Sequence, residues 1–154
     1  MKKRKFRTET RTSEPWGRLW KVQAPPKAKH LMWRICKECL PTQTRLRDHH
    51  VQCQIDCPLC LEFAEDDWHL FFDCEGSKEA WSTMGLDQII QPRMQLFDNA
   101  KELIFDVCKK ESKYVAGQMA MLLWMLWHNR NNMVWNEEKI NARDIGCFGS
   151  TYME

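Results

Sequence analysis

Glycine and proline are scarce. Six of each in 154 residues are too few for a strand-and-turn fold of this length. Valine and isoleucine are sparse as well, while Leu, Met, Trp, Lys and Glu are plentiful, and that balance favours helices over sheets. No apolar run stands behind the basic opening Met1–Lys5, so no secretion signal is read there. The longest apolar stretch, Met119–Trp127, is far short of a membrane span; it reads as a buried helix, and no membrane contact is expected. There is no internal repeat and no low-complexity tract. What remains is 44% hydrophobic and 29% charged, a globular chain of one domain with room for an appendage.

Eight cysteines are present. In an intracellular setting they are expected to be reduced, and clustered thiols there hold metal more often than they form disulfides. The net charge of +2 conceals a division. Residues 1–47 carry 14 Lys/Arg against 3 Glu, a charge of +11, whereas residues 48–154 carry 9 against 18 Asp/Glu, a charge of −9. Such a split predicts one half that faces a polyanion and another that faces solvent or a partner.

Residues 1–14 are basic and aperiodic and read as a flexible tail, in which Lys2–Lys5 fits a nuclear address or a phosphate contact. Trp16, Leu19 and Trp20 are the first apolar anchors. Pro25-Pro26 suits a helix start. Ala28, Leu31, Met32, Ile35, Cys36 and Cys39 then follow at i, i+3, i+4, i+7, i+8 and i+11, one apolar face of an amphipathic helix. The opposite side carries Lys27, Lys29, His30, Arg34 and Lys37, with Trp33 on its border. Leu40-Pro41 ends this helix, and Thr42 is placed to cap a short one through Arg47. Further helices are predicted over Glu65–Asp73, stopped by Gly76, and over Ser77–Met84. Pro92 marks a break, and another helix is expected on Leu96, Ala100, Leu103, Ile104, Val107 and Cys108. The last, about Tyr114–Trp135, has Ala120, Leu123, Trp124, Trp127, Asn131 and Trp135 on one face. From about Asn141 the chain reads as irregular.

Within the turn-like stretch 51–60 begins the pattern Cys57-x2-Cys60-x8-His69-x4-Cys74. Zinc takes four soft or borderline ligands in a tetrahedron. Two cysteines on a tight turn stiffened by Pro58 can both reach one ion, and a helix can return His69 to it. At 100° per residue Cys74 sits about 140° around an ideal helix from His69, so the helix must end near Cys74. Four protein ligands leave no open position for water, which points to a structural ion. The rival reading is a set of reduced core cysteines beside an ordinary histidine. Cys53 is a spare ligand on spacing grounds, and His49 or His50 could compete with His69. Cys36-x2-Cys39 also has metal spacing, but lies on the apolar stripe and reads as core thiols. Glu65 and Asp67 read as a solvated helix start.

The combined residues are recognisable. Trp16, Leu19-Trp20-Lys21, Pro25-Pro26-Lys27-Ala28-Lys29-His30, Trp33-Arg34, Leu40-Pro41-Thr42, Leu46, Cys57-Pro58-Leu59-Cys60, Glu65, His69-Leu70-Phe71-Phe72, Cys74 and Trp81 resemble the reverse-transcriptase zinc-binding domain of plant LINE-type non-LTR retrotransposons and proteins derived from them. The likeness covers about residues 16–83, and Leu123-Trp124, Trp127, Arg130-Asn131 and Trp135-Asn136 resemble the helical segment that often follows. It implies Cys57, Cys60, His69 and Cys74 as zinc ligands. Glu75 stands where the family often has proline, which alters the exit from the site and removes no ligand. No Tyr/Phe-x-Asp-Asp polymerase motif and no RNase H carboxylate cluster occur in the chain.

These readings predict an all-α fold: a basic tail (1–14), a zinc-stabilised module (15–83), a helical extension (84–140) and an irregular end (141–154). The expected function is a non-enzymatic accessory module with one structural Zn2+. Its partner is RNA or DNA, held without sequence preference through Lys27, Lys29, Trp33, Arg34 and Lys37, in the nucleus and with no small-molecule substrate. The alternative is a structural or protein-interaction module using residues 114–135.

Overall fold

Helix starts follow their local chemistry. Pro26 opens a helix with Pro25 before it. The Thr42 hydroxyl accepts from the Arg45 N–H at 3.3 Å, and Asn99 Oδ1 accepts from the Glu102 N–H at 2.9 Å. The structure, a computed structural model, describes residues 16–136. The basic tail with Lys2–Lys5, and the irregular end with Cys147, lie outside them. The elements are α1 (Trp16–Trp20), α2 (Pro26–Cys36), α3 (Gln43–Asp48), a π turn (His69–Asp73), α4 (Glu75–Thr83), α5 (Asp87–Leu96), α6 (Ala100–Lys110) and α7 (Lys113–Asn136). Among the described residues there is no strand, and one antiparallel bridge joins Asp56 to Ala64. The fold is all-α, as expected, and no described helix is long and apolar enough to cross a membrane.

The predicted stripe of α2 is buried at Ala28, Leu31, Met32, Ile35 and Cys36. It does not reach Cys39. Lys37 closes the helix and Glu38 takes a positive φ of 56°, which turns Cys39 out to solvent. Pro92 breaks nothing: it lies inside α5. Both Pro92 and Gln88 are exposed, so the Gln88 carbonyl left without an N–H is open to water. Leu96 belongs to the end of α5 and is exposed, not on the inner face of α6. Gly76 is not a stop but the second residue of α4; the glycine with positive φ, 78°, is Gly85, which closes the turn after α4.

α7 is the central element. Between Met119 and Trp127 every residue except Trp124 is buried. A helix apolar on all sides needs neighbours on all sides. α2, α4, α6 and the π turn supply them, through Leu31, Met32, Ile35, Ala80, Leu103, Ile104, Val107, Leu70, Phe71 and Phe72. Each large aliphatic side chain buried this way stabilises the fold by about 1.5–3 kcal/mol. The single face predicted for α7 is therefore too narrow at its middle and too long at its end, where Trp135 is 78% exposed. Its first turns pass so close to the loop after α1 that a Cβ on Gly117 would meet the Gln23 carbonyl oxygen at 1.9 Å, and the Gln23 N–H donates to the Lys113 carbonyl at 3.0 Å. The core is shared by segments on both sides of position 83.

Candidate metal centre

Cys57 and Cys60 sit on a short hairpin. The Cys57 N–H donates to the Phe63 carbonyl at 2.7 Å and the Glu65 N–H to Ile55 at 2.8 Å. Inside it, the Leu61 N–H returns to the Cys57 carbonyl at 2.9 Å, and Leu61 takes a positive φ of 61°. The backbone N–H groups of Leu59 and Cys60 point at the Cys57 sulfur.

His69 and Cys74 come from the next segment. The Cys74 N–H donates to the His69 carbonyl at 2.7 Å, an i→i+5 bond. An α-turn would set these residues far apart around the axis; the wider π turn fits one more residue per turn and brings positions five apart towards one side. Cys74 then leaves the helix with φ −64° and ψ 140°, as the spacing argument required. Asp66 starts this segment, its Oδ1 accepting from the His69 N–H at 2.7 Å.

The outcome is one cluster. A sulfur each from Cys57, Cys60 and Cys74 and a ring nitrogen of His69 lie within 4.8 Å of one another. Cys60 Sγ is 3.3 Å from His69 Nε2. A tetrahedral ion with metal–sulfur bonds of about 2.3 Å has ligand edges near 3.8 Å, so this donor set fits one ion with small adjustments. Cys57 and Cys74 interact through their side chains, and their thiols are shifted in opposite directions. The Cys57 thiol is pushed up by its hydrogen bond to Cys74 and by burial. Cys74 is pushed down to about 5 by that same bond, against burial and helped by the Gly76 N–H at the start of α4 and by nearby His69. Negative charge is thus already favoured where a cation would sit. Cys53, with Sγ 3.6 Å from the Gln43 carbonyl, and the exposed His49 and His50 lie outside the cluster.

Sequence reasoning missed the supports around this set. Asp73 Oδ2 is 3.8 Å from His69 Nδ1, and Asp73 Oδ1 is 3.6 Å from Lys78 Nζ. His69 Nδ1 is buried without a hydrogen-bond partner. Asp73, the carboxylate nearest to it, is placed where it would serve in the carboxylate–histidine–metal arrangement that fixes ring orientation; its signal was the i+4 spacing from the ligand. Glu65 and Asp67 are not a solvated helix start. Glu65 is fully buried and accepts a fork from Arg130, Nε to Oε2 and Nη2 to Oε1, both at 2.8 Å. Its Oε1 also accepts the Gln43 N–H at 2.7 Å, closing the start of α3. Asp67 pairs with Arg45 at 2.9 Å. Burial raises the Asp67 carboxyl above its ordinary value, against the pull of Arg45.

The basic residues of α2 line its outer side. Lys27 and Lys37 are exposed, while Lys29, Trp33 and Arg34 are half-buried. Lys29 Nζ donates to the Trp20 carbonyl at 2.9 Å, and Trp33 packs on the edge of the core.

A small helical body carrying a Cys3His cluster on a hairpin and a π turn defines a metal-binding module. Residues 3–81 match the family model described as zinc-binding in reverse transcriptase. The chain belongs to that family, and it is a zinc-binding module. No curated protein and no solved structure matches the chain.

Proposed function

We propose that the ion in the Cys57, Cys60, His69 and Cys74 cluster is a single structural Zn2+, and that the module serves a nucleic-acid-binding role without polymerase chemistry of its own. The observation that carries the metal reading is the convergence of four donors within 4.8 Å. The nucleic-acid reading is supported by α2, where Lys27, Lys29, Arg34 and Lys37 share the outer side while the stripe from Ala28 to Cys36 stays in the core. Such a surface contacts phosphates and releases counterions, so binding should weaken steeply with salt and show little sequence preference. The family match accords with a retroelement origin, and the resemblance of the sequence motifs implies a plant LINE-type element as the source. A nuclear site of action accords with the basic run Lys2–Lys5.

The test combines elemental analysis with titrations of RNA and DNA at two salt concentrations. One zinc per chain is expected, and replacing Lys27, Lys29, Arg34 and Lys37 by Ser should flatten the salt dependence without loss of zinc. Equal affinity and equal salt slope in that variant would show that this surface is not the site. The second reading is a protein partner on residues 114–135, favoured by Tyr114 and Trp135, 43% and 78% exposed. Self-association or partner capture lost on Trp135→Ser would support it.

A further inference from the structure

Lys27 stands between two ring stacks of the same composition. On α2 the rings of His30 and Trp33 stack with centroids 5.6 Å apart and 30° between planes. On α7 Trp124 and His128 stack at 4.9 Å and 9°. Lys27 Nζ sits 3.9 Å over the Trp124 ring, and His30 follows Lys27 by one turn of α2. In each stack the histidine is exposed, and the tryptophan is half-buried and packed on the core. Farther along, Lys37 Nζ lies 5.3 Å from the Trp16 ring and 5.9 Å from the Trp33 ring. From Lys27 to Lys37 the surface runs about 15 Å at 1.5 Å per residue.

An exposed histidine ordinarily samples several rotamers. A tryptophan anchored in the core and stacked on it narrows that choice and holds the imidazole plane. Neither histidine is needed to fill the core, so the pairing is not accounted for by packing. Flat rings beside ammonium groups are what an unpaired nucleotide requires: the base stacks and the phosphate meets the cation. A duplex keeps its bases stacked on each other and presents mainly phosphate to this surface. Cations alone do not separate the two forms; rings do.

Resting on the nucleic-acid reading above, we infer that the two histidine–tryptophan stacks flanking Lys27 form a platform for unpaired bases, so that this surface takes single-stranded nucleic acid in preference to duplex. Trp124 and His128 thereby bring α7 into a site that the basic residues alone place on α2.

The experiment titrates the full, zinc-loaded chain with a single-stranded RNA, the single-stranded DNA of the same sequence and its duplex, at fixed salt. Single strands should bind more tightly than duplex. Changing both His30→Ala and His128→Ala should weaken single-strand binding by about tenfold or more, the scale of a lost base stack, and leave duplex affinity and salt slope unchanged. His30→Phe with His128→Phe should restore it. Equal parent affinities for single strand and duplex, or an unchanged single-strand affinity in the alanine variant, overturn the platform and leave the phosphate-contact reading standing. No nucleic-acid binding by the parent removes both. Polyglutamate bound as tightly as the single strands also overturns the platform, since it has no bases. If the alanine variant loses zinc or its circular dichroism, ultraviolet cross-linking of the parent to single-stranded RNA decides: adducts at His128 support the platform, and adducts only elsewhere overturn it.

Discussion

The ligand hairpin and the α2–α7 pair are held by different physics. From His49 to Ala64 the one buried residue is Cys57; Ile55, Leu61 and Phe63 are exposed. From Met119 to Trp127 all but Trp124 are buried. One region folds by removing hydrocarbon from water; the other leaves Ile55, Leu61 and Phe63 in water and, on the proposed reading, closes around an ion instead. The two should therefore fail separately, and variants can be chosen to show it.

The largest effect is expected at the ligands. A structural zinc supplies about 10–16 kcal/mol of apparent binding free energy, more than the ~5–15 kcal/mol stability of many domains. Cys57→Ser, Cys74→Ser or chelation should release the metal and unfold the hairpin of residues 51–64, seen in near-ultraviolet circular dichroism, while Cys36→Ser keeps the metal. A ligand variant with parental metal content and spectrum would break the comparison. Next comes Arg130→Met, which leaves the Glu65 carboxylate buried without its fork; breaking such a pair costs about 3–5 kcal/mol. Adding Glu65→Met should recover part of this in urea unfolding, and no recovery would mean that the cost lies in packing. Leu123→Ala, at a fully buried site, should cost about 2–5 kcal/mol with one metal still bound. Loss of metal there would show that the two regions are not separable. The smallest change is Thr42→Ala, about 1 kcal/mol for the lost cap of α3, read as a lower urea midpoint at unchanged slope.

The parts legible in the sequence are those set by short spacings. The stripe Ala28 to Cys36, the Thr42 cap and the four donors in their order all follow from neighbours a few residues apart. What was illegible depends on distant or solvent-side partners. Cys39 fits the periodicity of α2, and only the reversal at Glu38 removes it. Pro92 is tolerated because its side of α5 faces water. Glu65 looks like any acidic residue at a helix start until Arg130 arrives from 65 positions away. The π turn lay between these cases: the misfit of Cys74 with an α-helix was visible, and the answer required was an end at Cys74, but the widened turn before it was not foreseen.

The fork between Glu65 and Arg130 also governs how this module can be transplanted. The family match closes at Trp81, yet a carboxylate inside it is neutralised by a guanidinium well beyond that limit. A chimera that receives residues 3–81 inherits an anion selected for a cation it does not carry. Compatible hosts are those that offer an arginine at the position of Arg130, on a helix able to lie against Leu70, Phe71 and Phe72. The boundary of kinship and the boundary of exchangeability therefore differ, and the second falls at the far end of α7.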